Sequence, residues 1–140
     1  MKILFVCILL TASLFSQGIQ WEKDFETGLA NAKKQNKPTL FVYSRHSCHY
    51  CRVLDENTFK DPAVIKALNE NFISIISYTD ENDYTPRHLM ARGTPAIWFL
   101  DTNGTPMFQR MMGAVKADAF LYALRQVKAY YKDSNTQVKK

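Results

Sequence analysis

The sequence predicts an α/β domain in which a parallel βαβ unit is closed by an antiparallel hairpin and a last helix. Three observations carry this. Two apolar runs rich in β-formers, residues 39–43 and 72–78, are separated by helical stretches, so the two strands pair in parallel. A third run, residues 96–100, leads at once into Asp101-Thr102-Asn103-Gly104, and Asn-Gly is a strong hairpin signal. An amphipathic stretch, residues 116–132, follows the hairpin.

Taken in order, residues 21–37 read as an amphipathic helix. Trp21, Phe25, Leu29 and Ala32 share one face, and Asn36 and Pro38 stop it. Residues 39–43 (Thr-Leu-Phe-Val-Tyr) do not alternate, which fits a strand buried on both faces. Residues 44–47 form the loop leaving its carboxyl end, where sites form in open α/β sheets. Residues 48–57 are a helix with Val53 and Leu54 inward. Another helix starts at Asp61-Pro62, with Asp as N-cap and Pro in the first turn. Val64, Ile65 and Leu68 are its buried residues. Residues 72–78 are the second strand, residues 79–86 a polar turn, and residues 88–92 one or two helical turns. After the strand at 96–100, residues 105–112 return as a fourth strand, with Pro106 at an edge or at its start. The final helix at 116–132 buries Phe120, Leu124, Val127 and Tyr131. Residues 134–140 are expected to be a disordered tail.

Composition bounds the function. The 140 residues suit one domain. Net charge is +5, but the basic residues gather only at the tail, so no basic stripe suggests nucleic-acid binding. Met1-Lys2, the apolar run from Ile3 to Leu10 and the small residues near Gly18 read as a secretory signal peptide over residues 1–18. The apolar run is shorter than a membrane span. The expected domain is then residues 19–133, exported to the periplasm. Cleavage removes Cys7 and leaves Cys48 and Cys51 alone.

The chemistry concentrates in Ser47-Cys48-His49-Tyr50-Cys51. On a first helical turn, cysteines three apart are within disulfide reach, with the first facing solvent. The positive end of the helix favours the thiolate of Cys48. A disulfide here would close too small a loop to staple the fold, which tilts the pair toward redox chemistry. His46 and His49 flank Cys48 and, if protonated, would stabilise its thiolate; both also read as plain solvated residues.

With Cys48-His49-Tyr50-Cys51 after the first strand and Gly93-Thr94-Pro95 before the third, the chain resembles the thioredoxin-like superfamily over nearly its whole mature length. The resemblance implies a thioredoxin-like fold, a central mixed four-stranded sheet with helices on both faces. It implies a thiol–disulfide oxidoreductase with Cys48 attacking and Cys51 resolving. It makes Pro95 a cis-proline beside the pair and Thr94 a backbone contact for substrate, with His49 and Tyr50 completing the active-site loop. Gly93-Thr94-Pro95-Ala96 and Tyr50 resemble the loop and motif of periplasmic disulfide isomerases. Two departures stand out. Val42 occupies the position of the family's buried aspartate, six residues before Cys48, and Ser47 replaces the usual tryptophan. A different group, or water, must then relay the proton for Cys51, and Asp55 and Glu56 are candidates by proximity alone.

The expected partners are proteins with cysteine thiols or disulfides and a membrane electron donor. No nucleic acid and no cofactor are expected. The chain is read as a monomeric reductase, since about 120 mature residues leave no room for a dimerisation domain. Oxidase or isomerase activity is the alternative. A second class is copper or zinc binding by Cys48, Cys51, His46 and His49, although a helix-start pair presents only two of the four ligands zinc prefers. A third is a redox-inert peptide-binding module along the Thr94-Pro95 edge. Covalent haem is excluded by Arg52 after the second cysteine. Met90, Met107, Met111 and Met112 fit packing better than thioether ligation, and His88 reads as a surface residue.

Overall fold

A computed structural model describes residues 18–138. The signal peptide expected over residues 1–18, with Cys7, lies outside the described residues except for Gly18. The elements are α1 (Phe25–Gln35), β1 (Thr39–Ser44), α2 (His49–Glu56), α3 (Pro62–Asn71), β2 (Ile73–Tyr78), β3 (Ala96–Leu100), β4 (Met111–Met112) and α4 (Ala117–Val138). Short 3-10 turns occupy Thr58–Lys60 and Arg87–Leu89.

The four strands form one sheet in the order β2-β1-β3-β4. β1 pairs with β2 in parallel, as the crossover requires, and with β3 antiparallel; β3 pairs with β4 antiparallel on the far side of the Asn-Gly turn. The strand β1 is central, so its residues are buried on both faces. Alternation along it divides the core in two. Leu40 and Val42 join Leu54, Val64, Leu68, Phe99, Phe120 and Leu124 on one side. Phe41 joins Ile75, Leu89, Trp98 and Leu100 on the other, covered by Phe25 of α1. Phe25 meets Phe41 edge-on at 5.6 Å. Helices therefore cover both faces of a mixed four-stranded sheet, as expected.

Four boundaries differ from the sequence expectation. The first helix starts at Phe25, not Trp21, because the Asp24 side chain caps it by accepting from the Thr27 N–H at 2.8 Å. Trp21 instead bridges to Ser74 beside β2 and packs edge-on against Phe59, on the opposite core from Phe25. The helical turn expected at residues 88–92 is a single 3-10 turn that follows Pro86. The fourth strand pairs only at Met111 and Met112. Pro106 makes an isolated bridge to Leu100, and Met107 donates to the Phe99 carbonyl at 2.9 Å. Pro106 has no N–H to continue the ladder.

The fourth difference is the C-terminal segment. Residues 134–138, expected as part of a disordered tail, continue α4. No proline or glycine interrupts residues 117–138. The hydroxyls of Ser134 and Thr136 donate back to the carbonyls of Tyr131 and Lys132, at 3.0 and 2.9 Å, which satisfies them without leaving the helix.

Candidate active site

The strand β1 delivers the site. It ends at Ser44, and residues 45–48 lead directly into α2. Cys48 is the N-cap of α2, with extended backbone (φ −85°, ψ 122°). Its sulfur takes the capping role usually filled by an oxygen, accepting from the Cys51 N–H at 3.3 Å. The Cys51 side chain then points into the core, where it is 1% exposed, while Cys48 keeps partial access to solvent. Both are free thiols.

The loop before β3 closes over the pair. The Thr94–Pro95 peptide bond is cis. The Cys48 thiol lies 3.3 Å from the Thr94 carbonyl oxygen and donates to it. The Thr94 side chain also acts on both sulfurs, lowering the pKa of each. The Pro95 carbonyl accepts from the Gly113 N–H at 3.0 Å, which ties this loop to the end of β4.

The two thiols are set apart electrostatically. Partial burial pushes the Cys48 thiol up, but hydrogen bonds outweigh it. Those from the Cys51 and Thr94 side chains and from the Cys51 and Tyr50 backbone hold its pKa below the ordinary thiol value. Burial dominates at Cys51 and, with its bond to Cys48, raises its pKa; contacts from the Ser44 and Thr94 side chains and the Arg45 backbone offset part of this. The arrangement can therefore present one thiolate to solvent and hold one protonated thiol in reserve.

The other predicted residues are placed less uniformly. His49 opens α2 and Tyr50 follows; their rings meet at 5.4 Å on the surface, with Tyr50 61% exposed. His46 is engaged elsewhere. Its ring stacks on Tyr78 at 3.8 Å, and its Nε2 sits 2.7 Å from Glu81. Among the described residues no group of three His, Cys, Asp or Glu side chains is arranged to hold a metal ion. Asp55 is half-buried one turn beyond Cys51, and burial pushes its carboxyl up. Glu56 is exposed. Val42 is fully buried in the apolar core.

Three contributors escaped the sequence reading. Ser44, buried at the end of β1, offsets part of the upward shift of the Cys51 thiol. Asp80 accepts from the backbone N–H groups of His46 and Ser47, at 3.1 and 3.2 Å, and so fixes the loop that leads to Cys48. Tyr78 supplies the platform under His46. A single Ser, Asp or Tyr in a strand end or polar turn carries no spacing signal. Only the parallel β1–β2 register, which sets Ser44 against Tyr78, brings the two loops side by side.

A mixed sheet with a dithiol at the N-terminus of a helix, facing a cis-proline loop, defines a thioredoxin-fold protein. Residues 25–128 match the family model described as thioredoxin-like domain, and the chain belongs to that family. The chain is 26% identical over 99 residues to spermatogenesis-associated protein 20 of Rattus norvegicus, covering 68% of this chain but only 12% of that protein. In structure it is similar to a thioredoxin from Thermus thermophilus. The TM-score there is 0.66 at 24% identity, over 79% of this chain and 87% of that one. It is also similar to the C-terminal domain of Neisseria meningitidis DsbD in its oxidised form. That match has a TM-score of 0.56 at 23% identity, over 72% and 90% of the two chains.

Proposed function

We propose that this domain is a thiol–disulfide oxidoreductase acting on cysteines of exported proteins, and that it works as a monomeric reductase. The asymmetry of the pair carries the reading: Cys48 is accessible and biased to thiolate, while Cys51 is buried and biased to thiol. The Cys48 thiolate attacks a substrate disulfide, R–S–S–R′, forming Cys48–S–S–R and releasing R′–S⁻. Cys51 gives up its proton and attacks the Cys48 sulfur. R–S⁻ leaves and takes up a proton, so the substrate gains two electrons and the pair becomes a disulfide. Thr94 and Pro95 would receive the substrate backbone, with His49 and Tyr50 at the rim. A membrane electron donor would return the pair to its reduced form. The fold is shared with a DsbD domain described in an oxidised form, which is in keeping with a redox-active pair.

The test is direct. The protein should form one internal disulfide that dithiothreitol reverses, seen as a two-proton mass change. Cys51→Ala should trap substrates as mixed disulfides, and Cys48→Ala should trap none. Equal trapping by both variants would sink the assignment of roles. The redox potential decides direction: a strongly oxidising value would replace the reductase by an oxidase or isomerase. Sedimentation of the full chain checks the monomer.

A further inference from the structure

Residues 45–47, between β1 and α2, are each tied to the segment that follows β2. Nε of Arg45 donates to the Thr79 hydroxyl at 3.2 Å, and the N–H groups of His46 and Ser47 donate to the two oxygens of Asp80. The Cys48 N–H in turn donates to the Arg45 carbonyl at 3.2 Å. One side chain reaches across this joint. The His46 ring lies 3.8 Å from the Tyr78 ring and 12° from parallel, and its Nε2 is 2.7 Å from a Glu81 oxygen. On the other side, the His46 carbonyl accepts from Nη1 of Arg52, on α2, at 3.5 Å. His46 therefore contacts β2, the loop after it and α2 at once, two residues before Cys48. Its ring contacts are with Tyr78 and Glu81, so its link to Cys48 runs through the backbone.

We propose that His46 is the positioning residue of Cys48: stacked on Tyr78, it fixes the loop that sets the Cys48 sulfur at the head of α2. The inference rests on the reading of Cys48 as the attacking thiol of an exchange pair. At the head of α2 that sulfur accepts from the Cys51 N–H and donates to the Thr94 carbonyl, both at 3.3 Å. Hydrogen bonds weaken steeply as alignment is lost, so a loop free to shift would weaken both. Of the two contacts the His46 ring makes, the stack is the stronger hold. The His46 and Glu81 side chains are 52% and 57% exposed, and an ion pair so open to water holds little and is screened by salt. The stack is different in kind. Two flat rings in contact shed water from their facing surfaces, and Tyr78 is rooted in β2, where it pairs with Ser44. Asp80 restrains the loop at its backbone, and the His46 ring adds a restraint from a side chain on the β2 side.

The experiment compares three variants of the full chain. His46→Phe keeps a flat ring for the stack and removes the Glu81 contact. His46→Gln keeps a hydrogen-bonding group for Glu81 and removes the stack. His46→Ala removes both. Two quantities are read: alkylation of Cys48 by iodoacetamide against pH, mapped by mass spectrometry, and the potential of the Cys48–Cys51 pair equilibrated against glutathione. His46→Phe should match the unaltered chain in both. His46→Gln and His46→Ala should alkylate at Cys48 about three- to tenfold more slowly at neutral pH, with the pH midpoint moved up and the potential more reducing. An unmoved midpoint and potential in His46→Ala would overturn the role, even where urea unfolds that variant sooner, because the ring would then serve stability alone. So would a defect in His46→Phe equal to that in His46→Ala, because the Glu81 contact would then be the hold. If the unaltered chain forms no Cys48–Cys51 disulfide with oxidised glutathione, the exchange reading itself falls, and this role with it. A normal disulfide together with indistinguishable variants removes the role alone.

Discussion

The backbone N–H of Cys51 donates to the sulfur of Cys48 at 3.3 Å, so the helix that carries both thiols is capped by one of them. A capping acceptor is stabilised by negative charge, because the helix N-terminus is the positive end of its dipole. This makes the fold and the chemistry of Cys48 one arrangement. Its pKa is held below that of a free thiol, while burial raises that of Cys51. The rate of alkylation by iodoacetamide should therefore rise in two separated steps with pH. Cys48 should react first, at a pH below the ordinary thiol midpoint, and Cys51 only well above it. Peptide mapping of the alkylated sites at each pH checks the order. A single rise, shared by both sites at the free-cysteine midpoint, would contradict it.

Thr94 supplies the second hold on the pair: its carbonyl accepts from the Cys48 thiol at 3.3 Å, and its side chain lowers the pKa of both sulfurs. Thr94→Val keeps the shape and removes the hydroxyl. Cys48 should lose thiolate stabilisation, so its pKa should rise and its alkylation at neutral pH should slow about three- to tenfold. The oxidised form gains nothing from a thiolate donor, so the redox potential should become more reducing. Equilibration against glutathione measures this. An unchanged potential would place the control of Cys48 in the helix cap alone.

Most of the architecture was legible in the sequence because the strands are central and the helices amphipathic. The runs at 39–43, 72–78 and 96–100 had no alternative burial that satisfied them. Asp61-Pro62 opened α3 as capping rules require: the Asp61 carboxylate accepts from the N–H groups of Ala63 and Val64. The misreadings have a shared cause, since periodicity cannot say which core a residue joins. Trp21 and Phe25 are four apart and apolar, yet Asp24 between them takes the cap, and the two rings pack on opposite faces of the sheet. At the site, the cysteines were legible through their spacing, and the Thr94-Pro95 loop through its resemblance to the family's loop. Ser44, Tyr78 and Asp80 were not, because their importance comes from the register between β1 and β2.

The packing of α1 on the sheet leads to a stability prediction. A Cβ at Gly28 would lie 2.5 Å from both Cγ1 and Cδ1 of Ile75, a buried residue of β2. Gly28→Ala would normally gain about 1 kcal/mol of helix propensity. Here the overlap should cost more, leaving a net loss of about 1–2 kcal/mol. Ile75→Ala removes both contact atoms, so in that background Gly28→Ala should turn neutral or stabilising. Urea denaturation of the four members of the cycle measures the coupling. The same loss in both backgrounds would mean that the close approach of α1 to β2 is not what fixes glycine here.

Asp80 lies outside the sulfur chemistry but holds the loop that delivers it. Its two carboxylate oxygens accept from the N–H groups of His46 and Ser47, immediately before Cys48. Some desolvation pushes the Asp80 carboxyl up, but these backbone bonds prevail and leave its pKa below the ordinary carboxylate value. The sign of the pH effect follows. A carboxyl whose pKa is depressed by folding contributes above its unfolded value and loses that contribution as pH falls through the folded one. The clamp should thus be intact at neutral pH and open only in acid. Asp80→Ala should remove it at every pH. Hydrogen exchange at His46 and Ser47 should speed up at least about tenfold, since each N–H loses its acceptor. The core amides of β1 should not change, because the strand pairs with β2 and β3 independently of this loop. Asp80→Asn retains one oxygen acceptor and should protect only one of the two N–H groups. If both amides exchange in Asp80→Ala as in the unaltered chain, the loop is held instead by the stack of His46 on Tyr78 and its pairing with Glu81.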